Sequence, residues 1–352
     1  MKATEMELPG IGEPESLRAR TRELSDPAPG QALVRVEATG VSFAEQQMRR
    51  GKYYDQPASP FVPGYDLVGI VERLGGGSAA LEIGVGARVA ALTKVGAWAD
   101  RVLLDARDLV PVPKGIDPAA AETVVVNGVT AWRMLHRTAR VRTGETIVVL
   151  GAAGGVGTIL VQLARHAGIC VIGTAGTAQQ ERLRKLGAEP LDYRRDDIPA
   201  RVRELAPAGV AAVFDHVGGP GIRDSWRLLA RGGTLVAYGT ASTKDVAGNP
   251  ALPVLKLLAR LALWNLLPNG RRAHFFNLWA GHRFRRDRFR DELRADLGQL
   301  FSLLAQGALS AQIAARFPLS HAAAAIRFAE AGGHTGKVIL IPDAEPAARE
   351  PA

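Results

Sequence analysis

The chain has almost no cysteine. A single residue, Cys170, in 352 excludes an intrachain disulfide and any metal cluster built from several thiolates. Long apolar runs are missing too. The best candidate, 252–267, is short and carries Lys256, Arg260 and Asn265, so no membrane span is expected. The opening MKATEMELPG lacks the apolar core of a signal peptide. No internal repeat or low-complexity stretch is present, which sets aside solenoids and fibrous arrays. With 47% hydrophobic residues and a mean hydropathy of +0.02, these absences lead to the expectation of a globular, cytoplasmic protein, long enough for two domains.

Charge is lopsided. The net charge is +9, and much of the excess lies in 271–290, where RRAHFFNLWAGHRFRRDRFR holds seven arginines. Such a run suits an acidic partner, nucleic acid or an anionic surface. It equally suits a solvated arginine-rich face, the reading favoured here, or an active-site face using one or two arginines. No nucleic-acid partner is expected.

Residues 1 to about 120 read as β-rich, with strand patterns at 32–38, 68–74, 88–92 and 99–104 punctuated by proline and glycine. After a helical stretch at 122–137 around Gly128, strands and helices alternate. Strands are expected at 146–150, 171–174, 190–192, 211–215 and 233–238, and helices at 155–167, 178–186, 196–205 and 221–230. That alternation means a parallel sheet with right-handed crossovers. A further helix, 293–306, carries Leu293, Leu297, Leu300, Phe301 and Leu304 on one face; 337–341 is a closing strand, and 343–352 a flexible tail.

The most informative run is LGAAGGVGTILVQLARHAG, residues 150–168. A β-branched strand precedes it, and an amphipathic helix with Ile159, Leu160, Leu163 and Ala164 follows. Strand, glycine turn and helix in that order form the phosphate-gripping corner of a dinucleotide fold. Gly154 lets backbone approach a pyrophosphate, Gly157 lets the helix lie close to the strand, and the helix N-terminus offers N–H groups to the anion.

These residues sit among further blocks: GVSFAEQQMRRGKY, PFVPGYDLVGIVERLG, GAWADRVLLD, NGVTAWRML, GTAGTAQQERLRKLGA, FDHVGG, RGGTLVAYG and GGHTGKVILIP. In this order and over nearly the whole length, the chain resembles the medium-chain dehydrogenase/reductase superfamily, in its zinc-free quinone oxidoreductase branch. The resemblance implies an α/β protein: a GroES-like β-domain plus a Rossmann doubly wound parallel-sheet domain. The expected division is 1–121 for the first part of the β-domain, 122–265 for the Rossmann domain and 266–342 for the return segment with its Arg/aromatic-rich insert. Zinc-using relatives carry a Cys near position 42, a His-Glu pair near 65 and a four-cysteine lobe near 95. Here Ser42, Tyr65-Asp66 and the cysteine-free GAWADRV stand there, so no metal is expected.

The cofactor is expected to be NADP(H). The second strand of the alternating half runs into Thr174, Ala175 and Gly176 with no acid to repel a 2′-phosphate. Relatives contact that phosphate with a Tyr, kept here as Tyr193, and a Lys, replaced by Gln180; Arg182, Arg184 or Arg194 are candidates for the missing charge. Ala153, Gly154, Gly155 and Val156 are the expected phosphate contacts, with Val217 and Gly239 toward the nicotinamide. Asn127, Thr130 and Lys337 match family positions near the cofactor.

The resemblance implies a cytoplasmic reductase that passes hydride to a quinone or α,β-unsaturated carbonyl. Tyr53 is the expected donor to substrate oxygen, with Ser42 beside it as the second catalytic candidate. Phe43, Gln47, Tyr54, Phe276 and Trp279 are expected to line the substrate pocket. Trp264, Phe275 and Phe284 either extend that pocket or pack the domain junction. Cys170 reads as a buried small residue, and His216, next to Asp215, as architectural. A homodimer is expected through the Rossmann edge strand at 273–279. Alternatives are a tailoring or cyclising enzyme acting on a large apolar substrate, and a weakly catalytic NADPH-binding protein.

Overall fold

The structure, a computed structural model, describes residues 1–77, 83–243 and 251–344. The alternating half forms a six-stranded sheet ordered Glu189–Asp192, Cys170–Ala175, Thr146–Val149, Val210–Asp215, Leu229–Ala237, Arg272–Phe275. Every pairing is parallel. The central strands Thr146–Val149 and Val210–Asp215 are short, mostly apolar runs, buried because helices cover the sheet. The chain steps outward from Thr146–Val149 in one direction, then returns and steps outward in the other from Val210–Asp215. The crevice at the carboxyl ends of these two strands is the topological switch point, where open α/β sheets bind their ligands.

The β-rich half forms a seven-stranded sheet. Its path runs Ile313–Pro318, Lys337–Ile341, Gln31–Val41, Asp66–Leu74, Arg88–Leu92, Val110–Pro111, with Arg101–Asp105 also paired to Gln31–Val41. Both ends of the chain therefore build one sheet. Val34, Val36, Leu67, Val71, Val89 and Val102 fill one side of it. Met6, Leu8, Trp98, Ile326, Val338 and Leu340 form another cluster.

Most expected strands appear within a few residues of their predicted ends. A ribbon of Lys2–Glu7 with Arg18–Glu23 and a short helix, Phe43–Arg49, were not anticipated. The Rossmann sheet does not end at residue 265, because Arg272–Phe275 bonds in parallel to Thr234–Ala237. The helix expected at 293–306 starts earlier, as Arg286–Ala305; it buries Leu293, Leu297, Leu300 and Phe301, and a Cβ on Gly128 would come within 3.0 Å of Leu300. Cys170 is exposed, although Ile169 and Val171 on either side of it are buried. Asp343 is held by Ser320, whose N–H and hydroxyl donate to it at 2.9 and 2.7 Å, whereas 345–352 lie outside the described residues.

Lys337 is not a surface lysine. Its ammonium is buried and donates to Asp66 Oδ1 and Oδ2 at 3.0 and 2.8 Å and to Glu122 Oε1 at 2.6 Å. Two carboxylates face one cation. Burial, and then the neighbouring Asp66, push the Glu122 carboxyl well above the usual glutamate range, while Lys337 opposes them. The Glu122 carboxyl therefore takes up its proton at a higher pH in the folded chain than in the unfolded one, where it does so near pH 4.3. Stability falls as pH rises above that unfolded value. Glu122→Gln is expected to flatten that fall: urea-unfolding midpoints of variant and parent converge near pH 4, and the parent loses more between pH 5 and pH 8. Parallel curves would show that Glu122 carries no extra proton.

Candidate active site

The glycine corner is built as its residues require. Gly151 has φ +65°, a left-handed value that favours glycine. The Gly154 N–H closes the turn on Gly151 O at 3.0 Å. A Cβ on Gly157 would lie 2.5 Å from Gly151 O and 2.7 Å from Ala152 Cα, so only glycine lets the helix Gly155–His166 start this close. Thr174 braces the loop: its carbonyl accepts from Ala152 N–H at 2.9 Å and its hydroxyl from Gly151 N–H at 3.1 Å. The first-turn N–H groups of the helix, among them those of Gly155 and Val156, have no intrahelical acceptor. Gly336 of the β-domain donates to Ala153 O at 3.0 Å, so the two sheets meet at this corner.

One branch of the crevice runs to Gly176. The atom that a Cβ there would add lies 3.4 Å from the Tyr193 hydroxyl and 3.8 Å from Arg194 Nε. A hydroxyl and a guanidinium converge where an NAD-preferring sheet would carry an acid. Gln180 turns back instead, its amide donating to Ala175 O and Gly176 O at 3.1 and 3.2 Å. Arg182 is spent on Gln312 at 3.0 Å and Arg184 on Glu181 at 3.1 Å. Of the three candidate arginines, the structure brings Arg194 to the spot.

The other branch lies at the switch point. Asp215 Oδ1 accepts from Val217 and Gly218 N–H at 2.8 Å each, which shapes the turn carrying Val217. A Cβ on Gly239 would lie 2.7 Å from His216 O. His216 Nδ1 sits 3.0 Å from Leu150 O, and burial holds its imidazole below the usual range, so the ring packs as neutral. Asn127 and Thr130 lie on the buried helix Val126–Trp132, Asn127 directly against Gly155. Lys337 differs from expectation. Its three donors are committed to carboxylates, so it acts through the fold rather than on a cofactor.

Five aromatic residues meet at the carboxyl end of the parallel sheet. Tyr53 Oη lies 2.7 Å from Tyr65 Oη, and Trp279 Nε1–H donates to Tyr65 Oη at 2.6 Å. Tyr54 packs against Tyr53 with tilted rings, centroids 4.8 Å apart, and meets Phe275 edge-on at 6.3 Å. Burial pushes the Tyr53 and Tyr65 phenols far above their ordinary range, so both are un-ionised donors.

Ser42 is not among them. It caps the helix Phe43–Arg49, and its N–H donates to Glu45 Oε2 at 2.9 Å with its hydroxyl on the same oxygen. Glu45, buried and pushed upward by burial, accepts from Tyr65 N–H at 2.9 Å through its other oxygen. Gln47 is buried in that helix and Phe43 is exposed. Phe276 is half-buried against the main core and bonds Ala237 O at 2.8 Å. Trp264 stacks on Trp226, and Phe284 is exposed, so neither extends the pocket. Sequence reasoning placed Tyr65 only as a missing metal ligand and did not see it as a hydrogen-bonding group.

A glycine-cornered parallel sheet, joined to an antiparallel β-domain built from both chain ends, defines a two-domain dinucleotide-dependent oxidoreductase. The profile described as "Alcohol dehydrogenase GroES-like domain" matches residues 28–114, and "Zinc-binding dehydrogenase" matches 186–340. A 2-haloacrylate reductase from Burkholderia is 30% identical over 349 residues, 95% of this chain and 97% of that protein. The Escherichia coli quinone oxidoreductase solved with NADPH superposes with a TM-score of 0.83 at 29% identity, covering 96% of this chain and all of that one. The mycobacterial protein Rv1454c, also solved with NADPH, gives 0.82 at 32% identity, with 97% and 100% covered. The chain belongs to the medium-chain dehydrogenase/reductase superfamily, in its zinc-free quinone oxidoreductase branch.

Proposed function

We propose that this NADPH-dependent oxidoreductase reduces a quinone or an α,β-unsaturated carbonyl compound without zinc. The observation that carries the reading is a pairing: Tyr193 and Arg194 at the acid-free end of one branch, and buried, un-ionised tyrosines at the carboxyl end of the same sheet. The first suits a 2′-phosphate, and the second suits an oxygen that gains negative charge.

The residues fit the cofactor. The glycine corner would hold the pyrophosphate, Tyr193 and Arg194 the 2′-phosphate, and Asn127, Thr130, Val217 and Gly239 the nicotinamide half. NADPH, when bound, supplies a hydride; with one proton from water, an enone becomes a saturated ketone or a quinone a hydroquinone. Tyr53 donates its O–H to the acceptor oxygen as charge grows there, and Tyr54 walls the site. Among the described residues, no group of three or more His, Cys, Asp and Glu could hold a metal ion, which supports zinc independence. No described helix is long and apolar enough to cross a membrane, in keeping with a cytoplasmic site. Arg272–Phe275 pairs on one side only within the described sheet, and we assign it the two-fold edge of a homodimer.

NADPH is expected to bind at least about tenfold tighter than NADH, the order of one charge-assisted interaction. Arg194→Ala and Tyr193→Phe should each weaken NADPH more than NADH in a fluorescence titration; equal dissociation constants in the parent enzyme would sink the assignment. Activity should survive exhaustive chelation, and light scattering at micromolar concentration should give a dimer mass. One zinc per chain, lost together with activity, overturns the metal reading, and a monomer mass overturns the dimer. Tyr53→Phe should lower kcat about one hundredfold, within the roughly 2–4 kcal/mol of a donor in a dry site, and leave NADPH affinity unchanged. A loss under about threefold would mean that Tyr53 only packs.

A further inference from the structure

We propose that Tyr65 and Trp279 are positioning residues that orient the Tyr53 hydroxyl, so that its hydrogen points to the substrate rather than back into the protein. This rests on the reading of Tyr53 as the substrate donor. An indole N–H can only donate. Trp279 Nε1 lies 2.6 Å from Tyr65 Oη, so Tyr65 must accept there. The single hydrogen of Tyr65 then has Tyr53 Oη in reach at 2.7 Å. In the opposite sense, Tyr65 would accept twice and its own hydrogen would leave this line inside a buried site, which costs about 1–3 kcal/mol if it finds no acceptor. The arrangement in which Tyr65 both accepts and donates along the line runs Trp279 to Tyr65 to Tyr53. Tyr53 then accepts once and keeps its own hydrogen to give.

Without substrate that hydrogen lies beside Tyr54, whose ring centroid is 4.8 Å from that of Tyr53 and which is 40% exposed and can yield to a ligand oxygen. Hydrogen bonds aligned head to tail polarise one another, so the last donor in such a line is stronger than an isolated phenol.

Both ends of the line are fixed. Trp279 is stacked on Phe289 with centroids 5.9 Å apart, and His282 meets its ring edge-on at 5.1 Å. The Tyr65 backbone is tied to the buried Glu45 at 2.9 Å. Tyr53 and Tyr65 belong to the β-domain, whereas Trp279 follows the edge strand of the Rossmann sheet. The direction of the donor is therefore set by the packing of one domain on the other.

The test uses the full-length enzyme with NADPH and two acceptors, 3-penten-2-one and 1,4-naphthoquinone. Trp279→Phe keeps an aromatic ring but loses the N–H together with the rest of the pyrrole ring; Tyr65→Phe removes only the middle hydroxyl and serves as the second variant if the first fails to fold. Each should lower kcat about tenfold with NADPH affinity unchanged. In a Tyr53→Phe background, neither should cost more than about twofold further, because the group they orient is gone. Unchanged kcat in both single variants beside a large loss in Tyr53→Phe, or losses that multiply in the double variants, overturns the positioning alone. An inert Tyr53→Phe overturns the donor assignment, and the positioning with it.

Discussion

One ammonium organises the meeting of the two domains. Lys337 bonds Asp66 on one strand of the β-domain and Glu122 at the end of the helix Pro118–Val124, and Asp66 in turn accepts from Val126 N–H at 2.8 Å. Val126 opens the helix that presents Asn127 and Thr130 and packs along the glycine-corner helix. The residue before Lys337, Gly336, bonds the glycine loop itself. Gly40 carries no side chain because Lys337 Cε and Glu122 Oε1 fill that space. Removing one member of such a buried cluster costs about 3–5 kcal/mol, and here the loss would also release the register between the last strand and the phosphate corner. The cluster is no strong source of net stability, since its desolvation offsets much of its attraction. It fixes where things sit.

The arginine-rich segment has a related role. Arg290, nearly buried, donates to Asp108 at 2.7 Å and to Asp105 at 2.8 Å, and Arg286 reaches Asp108 at 2.7 Å. Arg133 joins Asp296 at 2.6 Å in the interior. These pairs tie the helix Arg286–Ala305 to the β-domain on one side and to the helices under the cleft on the other. Several of the cations that dominate the charge of 271–290 are thus matched by acids of the same molecule. Exposed pairs such as Arg288 with Glu292 add little.

The Rossmann half was legible because its physics is local. A parallel strand buried on both faces has to be a short β-branched run, and a turn with φ > 0 against a tightly packed helix has to be glycine. The roles of Ser42 and Lys337 were misread for opposite reasons. Ser42 followed by Glu45 is a capping-box spacing, a local signal that a resemblance to catalytic positions overrode. Lys337 finds its partners 271 and 215 residues away, and Trp279 finds Tyr65 at a separation of 214. No periodicity carries such pairings. Cys170 reads as an inside residue from its apolar context, but its side chain is exposed between the buried Ile169 and Val171.

On the proposed reading, the tyrosine pair is what lets a site of this fold do without a metal. Metal-using relatives place a histidine ligand where Tyr65 stands. A cation there meets developing oxyanion charge directly, whereas a phenol meets it through a hydrogen bond. For that bond to stabilise charge rather than surrender a proton prematurely, the phenol has to stay protonated, and burial secures this for both Tyr53 and Tyr65. Burial also removes competing water, so the same hydrogen bond is worth more than it would be at the surface. Desolvation that would penalise an ionised group thereby becomes an advantage for a neutral donor, provided that its direction is fixed. In the proposed line that direction depends on a tryptophan held by the other domain.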